Sequence, residues 1–217
     1  MRMKNDLQTP PLTTFVFDFG GVLFDWDPYY LYRKYLGDDR FVVEQFLEEI
    51  GFKDWNLEQD RGRPFAEAVE ELSARFPQHA SLIEAYDRDY EATISGVIEP
   101  TVEILQQLYR KGYPLYALSN WSAEKFDLIR PKYPFLNWFS GIVISGEERL
   151  IKPDPRLFEI VLQRANRSAH DCVFIDDSPG NIRVAQRLGF QTILFQSPDQ
   201  LNEELERRRY LNHEAQR

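Results

Sequence analysis

Apolar positions along the chain fall into two patterns. Five short stretches are continuously apolar or β-branched: Thr14 to Phe17, Leu115 to Leu118, Gly141 to Ile144, Cys172 to Ile175 and Gln191 to Phe195. Each has the length of a strand, and several read as buried on both faces, as strands inside a parallel sheet are. Between the later ones the apolar spacing becomes helical and is punctuated at both ends. Pro100 opens a helix that Gly112 closes, Asp154-Pro155 opens one carrying Leu157, Val161 and Ala165, and Pro179 opens one that Gly189 closes. Proline suits the first helical turn and glycine the exit. Strand then helix, repeated, predicts an α/β fold with a doubly wound parallel sheet.

The interval from about residue 27 to 98 breaks that rhythm. It has helical spacing (Phe41, Phe46, Leu47 and Ile50; Ala66, Val69, Leu72 and Phe76) and no clear strand, and it is too long for a crossover connection. The expected organisation is a discontinuous α/β core, residues 13–26 and 99–198, with an inserted helical subdomain at 27–98. Residues 199–217 read as a polar helical tail and residues 1–12 as a loose start.

Composition narrows the function classes. The chain has 217 residues, 43% of them hydrophobic, with 16 Phe, 11 Tyr and 4 Trp, which is globular material rather than a disordered chain. A net charge of −9 argues against a general nucleic-acid binder, which needs clustered Lys and Arg; the one tight cluster, Arg207-Arg208-Arg209, lies in the mixed-charge tail. A single cysteine, Cys172, excludes an internal disulfide. The opening MRMKNDLQTPPL lacks the apolar centre of a signal peptide, and no run approaches membrane-spanning length. The expectation is a soluble, cytoplasmic protein with no membrane partner. No heptad seam asks for oligomerisation, so a monomer is the default expectation.

The strand ends carry the candidate chemistry. The first run ends in Asp18, the second in Ser119-Asn120 and the fourth in Asp176-Asp177. In a doubly wound parallel sheet these project from one carboxyl edge, where ligands bind. Three carboxylates there would repel one another unless a cation sat among them, and hard oxygen ligands suit Mg²⁺. Lys152, in LIKPDP before the helix opened by Pro155, can reach the same edge, and Ser119 and Asn120 offer neutral donors. Cation, lysine and donors describe a phosphate site, with Asp18 as a nucleophile on phosphorus. Taken singly, each residue has a plainer reading: Asp18 as a turn acid, Ser119-Asn120 and Asp176-Asp177 as helix caps, Lys152 as a solvated lysine.

The stretches DFGGVL, LSN, the lysine of KPDP, and IDDSPGN, in that order from Asp18 to Asn181, resemble the four motifs of the haloacid dehalogenase-like hydrolase superfamily. The resemblance implies a Rossmann-like core and a small α-helical cap. It implies Asp18 as nucleophile and Mg²⁺ ligand, with the Gly20 carbonyl and Asp177 as further ligands and Asp176 assisting. Ser119, Asn120 and the Gly21 amide would hold the phosphoryl oxygens. Lys152 would neutralise charge, and Asn181 would brace the Asp177 loop. The implied substrate is a small phosphorylated metabolite.

Position 20 departs from that family's phosphatases, which usually place a second Asp there to protonate the leaving oxygen. Gly20 has no side chain, and acid-base assistance is worth roughly 10² to 10⁴ in rate. Asp25 or Asp27 could fold back to supply it, an acid from the cap could enter, or the substrate could need little help, as a sugar 1-phosphate would. DFGGVLFDWD also resembles the α-D-glucose-1-phosphate phosphatase branch. Two alternatives stay open: a 2-haloacid dehalogenase, which needs no such acid but has no use for the paired Asp176-Asp177, and a member that binds a ligand or partner without turnover. Trp26, Tyr29, Tyr30 and Trp121 could stack on a sugar or serve only as packing. His79, His170, His213 and Cys172 have no ligand or nucleophile pattern and read as structural or exposed.

Overall fold

The computed structural model describes residues 13–212. The expected loose start at 1–12, the last residues of the tail and His213 lie outside the described residues. Seven strands form: β1 (Thr14–Phe17), β2 (Phe24–Trp26), β3 (Ile94–Val97), β4 (Leu115–Ser119), β5 (Gly141–Ile144), β6 (Cys172–Asp176) and β7 (Gln191–Leu194). Five of them make a parallel sheet of order β5-β4-β1-β6-β7. These are the five apolar runs of the sequence, and β1, the first in the chain, is central.

Alternation along β1 puts Phe15 and Phe17 on one face and Val16 on the other, all fully buried. One face is covered by α6 (Glu99–Arg110), α7 (Ala123–Ile129) and α11 (Pro198–Arg207) through Ile104, Leu105, Leu108, Phe126, Ile129, Leu201 and Leu205. The other is covered by α9 (Pro155–Ala165) and α10 (Pro179–Arg187) through Leu157, Phe158, Val161, Ile182 and Ala185. Each such side chain taken from water contributes about 1.5–3 kcal/mol, so both layers are held to the sheet chiefly by apolar burial. The helix starts follow the sequence signals: Asp154 accepts from the amide of Arg156 ahead of Pro155, and Pro179 stands in the first turn of α10.

Residues 28–93 are helical, as the spacing predicts: α1 (Pro28–Leu36), α2 (Arg40–Glu49), α3 (Phe52–Asp60), α4 (Phe65–Arg75) and α5 (Ala80–Arg88). They pack around an aromatic nucleus in which Tyr86 contacts Tyr32, Phe52, Trp55, Phe65 and Tyr90 at ring-centroid distances of 4.9–6.4 Å.

Two expectations need correction. The interval 27–98 does contain a strand: β3 pairs antiparallel with β2, a two-stranded ribbon where the chain leaves and re-enters the helical layer. The tail is not a free polar helix, because Leu201, Leu205 and Leu211 are buried against the core. No helix among the described residues is long and apolar enough to cross a membrane.

Candidate active site

Asp18 follows β1 directly, with Ser119 ending β4 on one side and Asp176 ending β6 on the other. The parallel register brings these ends together because Phe17 pairs with Ala117 and with Ile175. Lys152 enters from the loop ahead of α9, following the short helix α8 (Ser145–Glu148).

Lys152 is the electrostatic hub. Its ammonium lies 2.8 Å from Asp18 Oδ2 and 2.7 Å from Asp176 Oδ2, and its side chain is 1% exposed. Burial alone would lower its pKa, but the two carboxylates outweigh that and hold it above the usual lysine value. The Asn120 side chain clamps the Lys152 backbone, accepting from its amide at 2.7 Å and donating to its carbonyl at 3.1 Å. Asn120 therefore positions the lysine, a task beyond the phosphate contact that the family resemblance implies for it.

Burial, opposed by Lys152 and assisted by the Asp176 charge, pushes the Asp18 carboxyl up to about 7. Its Oδ1 accepts from the Phe19 amide at 2.7 Å, and the Ser119 hydroxyl also bonds to it. Asp176 is wholly buried and saturated, accepting from the Ser178 amide at 2.8 Å and from Asn181 Nδ2 at 3.0 Å on both oxygens. Asn181 thus braces Asp176, where the expectation had it bracing the Asp177 loop. Asp177 is the exposed member of the trio, its pKa raised by partial burial and by Asp176.

One oxygen from each of Asp18, Asp176 and Asp177 lies within 4.8 Å of the others. Three carboxylates face one ammonium there, and a divalent cation would offset the remaining charge. The all-oxygen donor set is the kind Mg²⁺ takes, so the residues present fit that ion. Gly21 is tailored to this cluster. Its φ is +70°, and a Cβ there would overlap Asp177 Oδ2 and lie 3.1 Å from Asp177 Cγ.

A cavity of about 360 Å³ opens beside Gly20 and Asn120. Its walls are mainly Trp26, Phe52, Leu57, Tyr90 and Trp121, with Asp60 among them. Of the four aromatics singled out, Trp26 and Trp121 line it. Tyr29 instead stacks under Arg40, 4.2 Å from the ring, and Tyr30 donates to Asp25. The two acids proposed from sequence as substitutes at position 20 are both engaged elsewhere. Asp25 takes the Tyr30 hydroxyl at 2.9 Å, while Asp27 caps α1 and pairs with Arg40 at 2.9 Å.

Sequence reasoning did not single out Asp60 or Ser145. Ser145 Oγ accepts from the Trp121 amide at 2.9 Å and donates to the Asp60 carbonyl at 2.6 Å. Neither residue stands in a local pattern that announces it, since tertiary packing alone brings them to the site. His79 pairs with Glu49, His170 stands 3.5 Å from Asp171, and Cys172 is buried with its thiol pushed up to about 11.

The family model of the haloacid dehalogenase-like hydrolases matches residues 12–189, and the chain belongs to that family. It is 29% identical over 184 residues to the sesquiterpene phosphatase astK of Aspergillus oryzae, covering 82% of this chain and 88% of that protein. It is 28% identical over 198 residues to the drimenol cyclase drtB of Aspergillus calidoustus, covering 88% of this chain but 35% of the cyclase. Among solved structures, a HAD-family enzyme of Bacteroides thetaiotaomicron in complex with magnesium and inorganic phosphate superposes with a TM-score of 0.66 at 24% identity, covering 85% of this chain and 94% of that one. The L-2-haloacid dehalogenase of Xanthobacter autotrophicus gives 0.60 at 16%, covering 92% and 84%. At these identities the structural likeness is one of fold.

Proposed function

We propose that the protein is a Mg²⁺-dependent phosphatase of a small phosphorylated metabolite, working through an aspartyl-phosphate on Asp18. The observation that carries the reading is the Asp18-Asp176-Asp177 cluster with Lys152 buried between two of its members. A dehalogenase would leave that concentration of carboxylate charge without a use, and the similarity to a sesquiterpene phosphatase points the same way.

Bound Mg²⁺ would supply charge neutralisation at the nucleophile and the transferring group. The chain's own residues do the rest. Asp18 forms a bond to phosphorus while the bond from phosphorus to the leaving oxygen breaks, and water then attacks the phosphorus to free inorganic phosphate and return Asp18. Lys152 opposes protonation of Asp18 and orients it, and with Ser119 and the Gly21 amide it meets the phosphoryl oxygens. Asn120 fixes Lys152, and Asn181 fixes Asp176. The helical segment 27–98 serves as a cap that keeps bulk water from the cavity.

The apolar walls of the cavity favour a leaving group with substantial hydrocarbon surface, such as a prenyl-type alcohol. A sugar phosphate is the second reading, favoured by Gly20, because a 1-phosphate leaves as a comparatively acidic hydroxyl, and by the flat faces of Trp26 and Trp121. Phosphate release from farnesyl phosphate, glucose 1-phosphate, glucose 6-phosphate and acetyl phosphate, with Mg²⁺ or EDTA, tests both. Release confined to the metal-loaded wild type and absent in Asp18→Asn is expected. No release from any of the four removes the phosphatase reading, and chelator-insensitive halide release from a 2-haloacid would replace it.

A further inference from the structure

We propose that Asp60, the last residue of α3, is the catalytic acid that replaces the side chain missing at Gly20. The inference rests on the phosphatase reading and adds to it the group that handles the leaving-group proton.

Three observations converge on Asp60. Gly20 and Asp60 line the same cavity, and a Cβ built on Gly20 would meet nothing within 4 Å. The space that an aspartate at position 20 would occupy is therefore open, and Asp60 is the carboxylate on the wall around it. The second observation is anchoring. The Asp60 carbonyl receives Ser145 Oγ at 2.6 Å, its Oδ2 receives Asn56 Nδ2 at 3.3 Å, and the Ser122 amide bonds to its carboxylate. Two residues on, a Cβ at Gly62 would fall 2.8 Å from the Gly146 carbonyl, so this turn of the helical layer sits directly on the core. Asp60 is held over the site rather than swung toward it.

The third observation is protonation. Burial, relieved in part by the Ser122 amide and reinforced by the Asp18 charge, pushes the Asp60 carboxyl up to about 7. An acid-base group works best near the operating pH. The other charged residue on the cavity wall, Lys53, is exposed. Asp25 and Asp27 are engaged as acceptors by Tyr30 and by Arg40 with the start of α1.

In the first half-reaction the Asp60 carboxyl gives its proton to the ester oxygen as the phosphorus–oxygen bond breaks and the Asp18–phosphorus bond forms. In the second, the Asp60 carboxylate takes a proton from the attacking water. Inorganic phosphate leaves, Asp18 is free, and Asp60 is protonated again.

The test compares Asp60→Asn with wild type on a prenyl-type or simple alkyl phosphate and on 4-nitrophenyl phosphate, whose leaving group needs no proton. Turnover of the alkyl ester should fall by roughly 10² to 10⁴, while the nitrophenolate burst, which reports phosphorylation of Asp18 alone, keeps its rate and amplitude. The limb of the alkyl-ester pH profile near neutrality should disappear. Adding Gly20→Asp to Asp60→Asn should restore alkyl-ester turnover at least tenfold, since the space over Gly20 is open; a merely structural role would not be rescued in this way. An unchanged alkyl-ester rate, or a burst slowed as much as the alkyl reaction, overturns the acid role and leaves the phosphatase reading intact. A wild-type protein that forms no phosphoryl-Asp18 overturns both. If Asp60→Asn does not fold, Asp60→Glu is measured instead; retention of the neutral limb with a shifted midpoint supports the role, and an unaltered profile overturns it.

Discussion

Replacing Lys152 by Met tests the electrostatic account of the site most severely. The substitution keeps the length of the buried stem and removes the one cation lying 2.8 Å from Asp18 and 2.7 Å from Asp176. Taking one partner from a buried ion pair costs about 3–5 kcal/mol, and here two carboxylates lose the same partner. At about 2–4 °C per kcal/mol for a chain of this size, the melting temperature in EDTA should fall by roughly 6–20 °C. The loss depends on pH in a definite direction. In the variant, burial and the Asp176 charge raise the Asp18 pKa with the Ser119 hydrogen bond but no lysine left to oppose them, so the folded state binds that proton more tightly than the unfolded one. The part of the deficit that Asp18 carries is therefore full above the variant's raised pKa and shrinks as pH falls toward about 7, where the wild-type Asp18 takes up its own proton. Saturating Mg²⁺ at a hundred times its dissociation constant should return about 2.7 kcal/mol, without restoring turnover. Thermal melts at pH 5 and pH 8, with and without Mg²⁺, read all three effects. A variant that melts within about 2 °C of wild type in EDTA at pH 8 would refute the assignment of Lys152 as the charge that holds the site together.

Other substitutions separate the remaining parts. Gly21→Ala forces a side chain into left-handed backbone, costing about 1–2 kcal/mol, and displaces Asp177; the Mg²⁺ concentration for half-maximal activity should rise at least tenfold, read by metal titration. Asp60 carries a carboxyl whose pKa near 7 exceeds its ordinary 3.8, so it costs stability as pH rises between those values. Asp60→Asn should consequently be more stable than wild type at pH 8, by up to about 4 kcal/mol, and indistinguishable near pH 4, in urea titrations. Leu57→Asn places an amide on the cavity wall and should raise KM for a prenyl-type phosphate about fivefold while leaving acetyl phosphate unaffected, because only the longer substrate reaches that wall.

The five strands of the sheet were readable because each is a compact apolar run, and the strand ends declared their chemistry because a parallel sheet gathers them at one edge. The β2–β3 ribbon escaped notice because Ile94, Ser95, Gly96 and Val97 are few, partly exposed and interrupted by glycine. The tail read as polar because Leu201 and Leu205 are single apolar positions in a charged helix, and only the neighbouring α6 surface turns them into a contact. Asp25 and Asp27 stand near Gly20 in sequence, which made them the expected substitute acids. Tyr30 of α1 and Arg40 of α2 engage them, while Asp60, more distant in the chain, reaches the cavity through the packing of α3 on α8. Asn181 was expected to brace the Asp177 loop, and its amide reaches that loop through Asp176, one residue earlier.

The central position of β1 has a consequence for how the chain comes off the ribosome. Phe15, Val16 and Phe17 emerge well before their partners, Leu115 to Ala117 on β4 and Val173 to Ile175 on β6. At roughly 5–20 residues per second, β1 waits on the order of ten seconds with both edges bare. The helical segment that follows it is synthesised during that wait. Asp18 meets Asp176 only when β6 inserts, so a nascent chain halted before residue 172 carries the nucleophile but neither of the other two carboxylates of the metal cluster.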